Sequence, residues 1–159
     1  MTEEKPLYKI GDVADMLATS IRAIRFYEEE GLLAPHRSEG GTRLYSDRHI
    51  ARLRAILQMA DSGYSLGTIR GLAQIREQHR TGEDSQRAVT HQLGEILTGI
   101  DEQVQRLQAL ASQIKYARAT VKKCAGCGNE PSTEGCPSCP VRRKLPEIEL
   151  LNLIWDQEE

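Results

Sequence analysis

The residues with the most distinctive chemistry in this 159-residue chain are four cysteines: Cys124, Cys127, Cys136 and Cys139. They fall within sixteen consecutive residues in the pattern C-x2-C-x8-C-x2-C. Two residues between cysteines let both thiolates address one ion while backbone N–H groups turn toward the sulfurs. Gly126, Gly128 and Pro137 suit the tight turns this requires. Two such knuckles supply four thiolates, a set that suits tetrahedral Zn²⁺ or an iron–sulfur cluster. Zinc is the preferred reading, an iron–sulfur cluster the next, and a copper-like or other soft metal the third. The plainer alternatives are four reduced free thiols or a CxxC redox pair. His79 and His91 stand near the start of a long helix and have the chemistry to ligate, but ordinary surface histidines look the same.

A second set of residues has the chemistry to read DNA. Thr19, Ser20, Arg22 and Arg25 stand at the start of a short amphipathic segment. Small hydroxyl residues at a helix tip permit close approach to a groove, and arginine makes bidentate contacts to guanine or to phosphate. Tyr27 and Arg43 would add backbone contacts, which fix register without reading sequence. From Thr19 to Arg54 there are seven arginines against five acids. The whole chain carries a formal net charge of −2, so any attraction to nucleic acid must come from one face. Taken alone, the arginines fit equally well with a surface helix whose Arg22, Arg25, Glu28 and Glu29 pair with one another.

The elements that must position these residues are mostly helices. Ile10, Val13, Ala14 and Leu17 recur at helical spacing. A second helix follows with Thr19 or Ser20 as N-cap and Ile21, Ile24 and Phe26 as apolar positions, ending near Gly31. Two helices separated by two or three residues have the length signature of a helix-turn-helix. Pro35, Gly40 and Gly41 then punctuate a stretch whose Thr42 to Tyr45 reads as extended, a small wing beside the helices. Ser46 caps a third helix to about Ser62, with Ile50, Leu53, Ile56, Leu57 and Ala60 on one face. Leu66, Ile69, Leu72 and Ile75 mark a fourth.

A long helix begins near Glu83. Leu93, Ile100, Leu107, Ile114 and Val121 are spaced by seven, with Leu97, Val104, Ala111 and Arg118 four residues after the first four. This is an a/d seam sustained for about four heptads. One such helix has little to bury its seam against in a chain this size, so the expected partner is the same helix of a second copy. Packing against the helix at Leu66 to Ile75 is the intramolecular alternative. Beyond Lys123 lies a loop of Gly, Pro, Ser and Cys. The run Glu147 to Trp155 is expected to form a short final helix that covers the loop or docks on the coiled coil.

Composition narrows the classes. Aromatic residues make up only 4% of the chain, which favours long helices over a sandwich or barrel. No stretch approaches the ~20 apolar residues of a membrane span. The first six residues have no basic and no apolar stretch of a secretion signal, so a cytoplasmic location is expected. In a reducing compartment clustered cysteines argue for metal or redox chemistry rather than disulfides. No Ser-His-Asp set, phosphate loop or paired-carboxylate site is evident. A thiol oxidoreductase would place its CxxC at a helix start in a βαβ fold, and no such strand pattern appears. The chain is not expected to be an enzyme.

Three runs together resemble the winged-helix domain of the mercury-resistance-regulator (MerR) family: Ile10-Gly11-Asp12-Val13-Ala14, Ile21 through Leu33 with its RFYEEEGLL segment, and Gly41-Thr42-Arg43-Leu44-Tyr45. The resemblance is close over roughly residues 7 to 76 and looser to about 121. It implies a mainly α fold: a winged helix-turn-helix at 7–76, a dimerisation helix at 83–122 forming an antiparallel coiled coil, and a cysteine-rich effector loop and tail at 123–159. It also implies a homodimer on palindromic double-stranded promoter DNA, which it bends and untwists for RNA polymerase. By position, Arg22 and Tyr27, with Arg43 and Tyr45 of the wing, are the family-like DNA contacts.

In that family a pair of cysteines in the loop after the coiled coil binds soft metals, and Cys127 and Cys136 resemble that pair. The divalent-metal sensors add a cysteine near the start of the dimerisation helix, where this chain has Glu83-Asp84-Ser85. The family's redox sensor holds an iron–sulfur cluster in a loop similar to Cys124–Gly128 and Cys136-Pro137, but Asn129 stands where its third cysteine would be, and Cys139 is additional. The expected function is a DNA-binding regulator responding to a metal or redox signal through all four cysteines. The alternative is the same scaffold sensing an organic ligand around a purely structural zinc.

Overall fold

A computed structural model describes residues 6–130, 135–136 and 139–154. Contacts divide the chain into two units, 1–93 and 94–159. The element order is β1 (Leu7–Tyr8), α1 (Ile10–Met16), α2 (Ile21–Glu29), β2 (His36–Arg37), β3 (Arg43–Ser46), α3 (Asp47–Asp61), α4 (Leu66–Gln74) and α5 (Gly82–Val121), with 3-10 turns at Ile75–Gln78, Lys122–Cys124, Arg142–Glu147 and Glu149–Leu153. The fold is mainly helical with a small sheet and one long helix, as the sequence implies.

In the first unit the helix boundaries follow capping chemistry. The Ser20 hydroxyl accepts the Ala23 N–H at 3.0 Å and starts α2. Ser65 does the same for Thr68 at 3.1 Å and starts α4. Helix α2 ends in a Schellman pair: Gly31 N–H to Glu28 C=O and Leu32 N–H to Tyr27 C=O, each 3.0 Å. Gly31 takes the left-handed φ of +72° that this ending requires. Helix α3 ends the same way on Gly63, at φ +86°. Helix α1 also does so, but its left-handed residue is Ala18, at φ +49°. The turn between α1 and α2 therefore holds a non-glycine residue in a region that disfavours a Cβ.

The sheet has the order β1-β3-β2, both pairs antiparallel. Leu7 faces Ser46 and Tyr8 faces Tyr45; His36 faces Leu44 and Arg37 faces Arg43. The β2–β3 hairpin is the expected wing. Its turn closes by the Gly41 N–H to the Ser38 carbonyl and the Ser38 N–H to the Thr42 carbonyl, both 2.9 Å. One core holds the unit together: Val13 and Ala14 of α1, Ile24 and Tyr27 of α2, Leu32, Leu33, Tyr45 of β3, Ile50, Leu53 and Ile56 of α3, and Ile69 of α4. Arg70 of α4 pairs with Glu30 just past α2, and Arg52 Nε donates to the Leu32 carbonyl at 2.7 Å.

Helix α5 has 40 residues, about 60 Å at ~1.5 Å per residue. Its seam residues Leu93, Leu97, Ile100, Val104, Leu107 and Ile114 are all exposed in the single chain.

The second unit has its own small core. Ala117 near the end of α5 packs with Val141, Leu145, Ile148 and Leu151, and Val121, Cys124, Cys139 and Leu150 lie against them. The expected final helix over 147–155 is not formed up to residue 154. Two 3-10 turns stand there instead, broken at Ile148 with φ −131° and ψ 81°. Pro146, inside the first turn, lacks the N–H a continuous helix would use. Trp155 lies outside the described residues.

Candidate nucleic-acid interface and cysteine cluster

Helix α2 is divided cleanly between core and surface. Ile24 and Tyr27 point inward. The opposite face, at i, i+3, i+4 and i+7 spacing, carries Arg22, Arg25, Phe26 and Glu29, all exposed. Ser20 at the tip is exposed and Thr19 half-buried. The four expected groups at the helix start are thus together on one end and one side, and the α2 start is free to enter a groove.

The structure places two of the expected DNA contacts in the core. Tyr45 is fully buried, and its hydroxyl donates to the Glu28 carboxylate. Burial first, then that hydrogen bond and the Glu28 charge, hold its phenol far above the ordinary range. It cannot reach a phosphate. Tyr27 is a core residue 9% exposed, edge-on to Phe26 with ring centroids 5.3 Å apart. Only a sliver of its surface remains for DNA. Both rings belong to the apolar core of the unit, beside Ile24, Leu32 and Leu53.

Arg43 stays at the surface, but its Nε is 2.8 Å from Glu28 Oε2. Glu28, with only 9% of its side chain exposed, therefore holds Tyr45 and Arg43 of the wing strand at once. At the sequence level Glu28 was only a surface acid that could pair with Arg22 or Arg25, and its bridging role was missed. Its register was the available signal, since Glu28 follows the inward Tyr27 and Ile24. Another such group is His49. Its Nδ1 accepts the Ser46 N–H at 3.1 Å, and its ring lies 5.0 Å from that of His36.

The cysteines occupy the second unit. The Cys127 N–H donates to the Cys124 carbonyl at 2.9 Å. Ala125 between them has φ −59° and ψ 125°, and Gly126 has φ +79°. This is a type II turn, which demands glycine at its third position. The Cys139 N–H reaches the Cys136 carbonyl at 3.3 Å; Pro137 and Ser138 lie outside the described residues. The Cys136 thiol is buried and donates to the Glu130 carbonyl at 3.6 Å.

The thiols share one neighbourhood. Burial first, then the charge and hydrogen bond of Cys139 and the charges of Cys127 and Cys136, push the Cys124 thiol up. The Cys139 thiol is pulled down, chiefly by the Arg142 and Val141 N–H groups that point at its sulfur. Those N–H groups are the sulfur-directed donors expected of a knuckle. Among the described residues no three His, Cys, Asp or Glu side chains are gathered tightly enough to form a finished coordination set. The donor chemistry itself, four thiols on two turns, fits a soft or borderline metal. His79 and His91 line a cavity in the first unit with Asp84.

Residues 8–74 match the model of the MerR HTH family of regulatory proteins. Over 99 residues the chain is 35% identical to the HTH-type transcriptional regulator ZntR of Escherichia coli strain K12, covering 60% of this chain and 70% of that one. Over 138 residues it is 30% identical to the HTH-type transcriptional regulator CueR of Escherichia coli O157:H7, covering 86% and 92%. Its fold is similar to that of HiNmlR, a MerR family regulator lacking the sensor domain, solved bound to promoter DNA. The TM-score is 0.66 at 23% identity, over 77% of this chain and 92% of that one.

Proposed function

Because this chain belongs to the MerR HTH family of transcriptional regulators, we propose that it binds promoter DNA as a homodimer and answers a metal or redox signal through its four cysteines. Residues 7–76 read the DNA, 83–122 dimerise as an antiparallel coiled coil, and 123–159 form the effector segment. Arg22 and Arg25 enter the major groove from a Ser20-capped helix, with Thr19 at its tip and Arg43 on the wing contacting the backbone. The exposed apolar seam of α5 supports the dimer, since a second copy would cover it. Binding energy is spent on bending the promoter for RNA polymerase. Among the described residues no helix is long and apolar enough to cross a membrane; we place the protein in the cytoplasm, with its DNA.

The observation that carries the sensing role is the grouping of the four cysteines in sixteen residues, with Cys124 and Cys139 packed against one small core. These four residues would hold the ion, which would supply one counter-charge to four thiolates. Zinc is our first choice and an iron–sulfur cluster the second. The small core of Val141, Leu145, Ile148 and Leu151 lies directly against Cys124 and Cys139, so loading the thiols acts on the packing of the tail.

Absorption spectra and elemental analysis of anaerobically purified protein test the metal. A colourless sample with one zinc per chain supports zinc; visible bands with iron and sulfide support the cluster; neither metal overturns both. Cys127→Ser with Cys136→Ser should abolish the promoter response and leave operator binding in place. An unchanged response would reduce the site to a structural zinc.

A further inference from the structure

The four cysteines are not equivalent. Cys136 is buried and Cys127 exposed, while Cys124 and Cys139 stand at intermediate exposure. These last two both lie against the core of Val141, Leu145, Ile148 and Leu151. Cys124 belongs to the turn that follows α5, and Cys139 stands just before the tail that packs on Ala117. Their meeting therefore joins the end of α5 to the tail, inside the second unit.

The contacts between thiols single out the same pair. The Cys124 thiol shares a hydrogen bond with Cys139, whereas Cys127 and Cys136 act on it through charge. Cys139 meets both Cys124 and Cys136, but the Cys136 thiol also donates to the Glu130 carbonyl at 3.6 Å. The spacing of the sequence favours bonds inside each C-x2-C. The packing instead brings together one sulfur from each, with Val121 and Leu150 in the same cluster.

We propose that hydrogen peroxide converts Cys124 and Cys139 into a reversible disulfide, which fastens the tail to the end of α5. Peroxide oxidises one thiol to a sulfenic acid and leaves as water. The other thiol attacks that sulfur, the S–S bond forms, and the hydroxyl departs as a second water. Two thiols thus give up two electrons and two protons, and peroxide takes them all. A bond made first at the exposed Cys127 passes to Cys139 by thiol–disulfide exchange, which frees Cys127 again. Closing the loop between the two sulfurs restricts the tail when it opens. The inference rests on the proposed effector role of the cysteines, but its chemistry is that of the thiols themselves. The disulfide removes two of the four thiolates that an ion would take, so the oxidised and metal-loaded states exclude each other.

The test is peroxide treatment of the reduced full-length protein, with metal content measured on the same sample. Free thiols are blocked with iodoacetamide. Cleavage at Glu130 and Glu134 then separates the two C-x2-C pairs, and mass spectrometry of the unreduced peptides reads the linkage. An intrachain Cys124–Cys139 disulfide is expected, reversed by dithiothreitol and formed with loss of any bound metal. Cys127→Ser with Cys136→Ser should still form it. Amide hydrogen exchange in residues 141–151 should slow by about tenfold on oxidation. Bonds confined to Cys124 with Cys127 or to Cys136 with Cys139 overturn the proposal. So do a linkage between chains, oxidation to sulfinic acid, or a double variant left with two free thiols. A correct linkage without slower exchange overturns the fastening of the tail. A sample that holds no metal yet forms the bond removes metal sensing and leaves this proposal standing; a metal-loaded sample that never forms it does the reverse.

Discussion

The backbone N–H of Ser46 donates to Nδ1 of His49 at 3.1 Å. An imidazole nitrogen thus accepts at the start of α3, the position where a glutamate or glutamine would serve in a capping box. That role requires Nδ1 to be unprotonated. Burial first, then the facing His36 and Arg52, lower the His49 pKa, against a backbone hydrogen bond at Ala34 that raises it.

The sign of the pH dependence follows. A histidine whose folded pKa is depressed binds fewer protons in the folded state than in the unfolded one. Stability is then full above the unfolded value of 6.5 and declines as pH falls below it through the lower folded value. Melting temperatures of the wild type should fall between pH 7.5 and 5.5 more than those of His49→Gln, which keeps an acceptor without a titration. Parallel curves would show that His49 does not contribute.

Tyr45→Phe should destabilise the protein by about 1–3 kcal/mol, because it strips a partner from the nearly buried Glu28 carboxylate. Denaturant unfolding measures this directly. Glu28→Gln keeps an acceptor but releases the charge on Arg43. It should steepen the salt dependence of DNA binding by about one phosphate contact. An unchanged slope would mean that Arg43 is already shared with the DNA backbone.

Arg22→Ala should cost about 1–3 kcal/mol of affinity and relax preference at one base position, as expected of a residue that reads a base edge. Binding to a library of single-base operator variants separates this from a phosphate contact, whose loss is uniform across sequences.

Ile100→Glu with Leu107→Glu should convert the dimer to monomer, read by sedimentation, while leaving helix content nearly intact. Both residues are exposed in the single chain, so the change harms only a surface that a second copy covers. A dimer that persists would move the interface elsewhere.

Leu151→Ala should cost about 2–5 kcal/mol of local stability, the usual loss for a fully buried leucine. Hydrogen exchange should rise in residues 141–153 and leave the winged unit unchanged. Metal retention by the four cysteines should fall with it, since Cys124 and Cys139 lie against the same cluster.

Much of this protein was legible in its sequence because the relevant signals are local. Ser20 and Ser46 begin helices, Gly31 ends one, and the seven-residue spacing of Leu93, Ile100, Leu107 and Ile114 marks α5. The spacing of Cys124 and Cys127 gives the first knuckle by the same reasoning, since a two-residue turn is fixed by its own backbone. What only the tertiary structure decided depends on residues far apart in the chain. Tyr45 and Tyr27 carry a polar tip on an apolar ring, and either end can be buried. The sequence alone pointed the tips at DNA; the core took the rings of both, Tyr45 wholly and Tyr27 nearly so. Glu28 became a bridge once β3 was laid beside α2. Ala18 was drawn into a left-handed turn by the packing of α1 on α2, and the tail became two 3-10 turns around Pro146 and Ile148 that pack on Ala117.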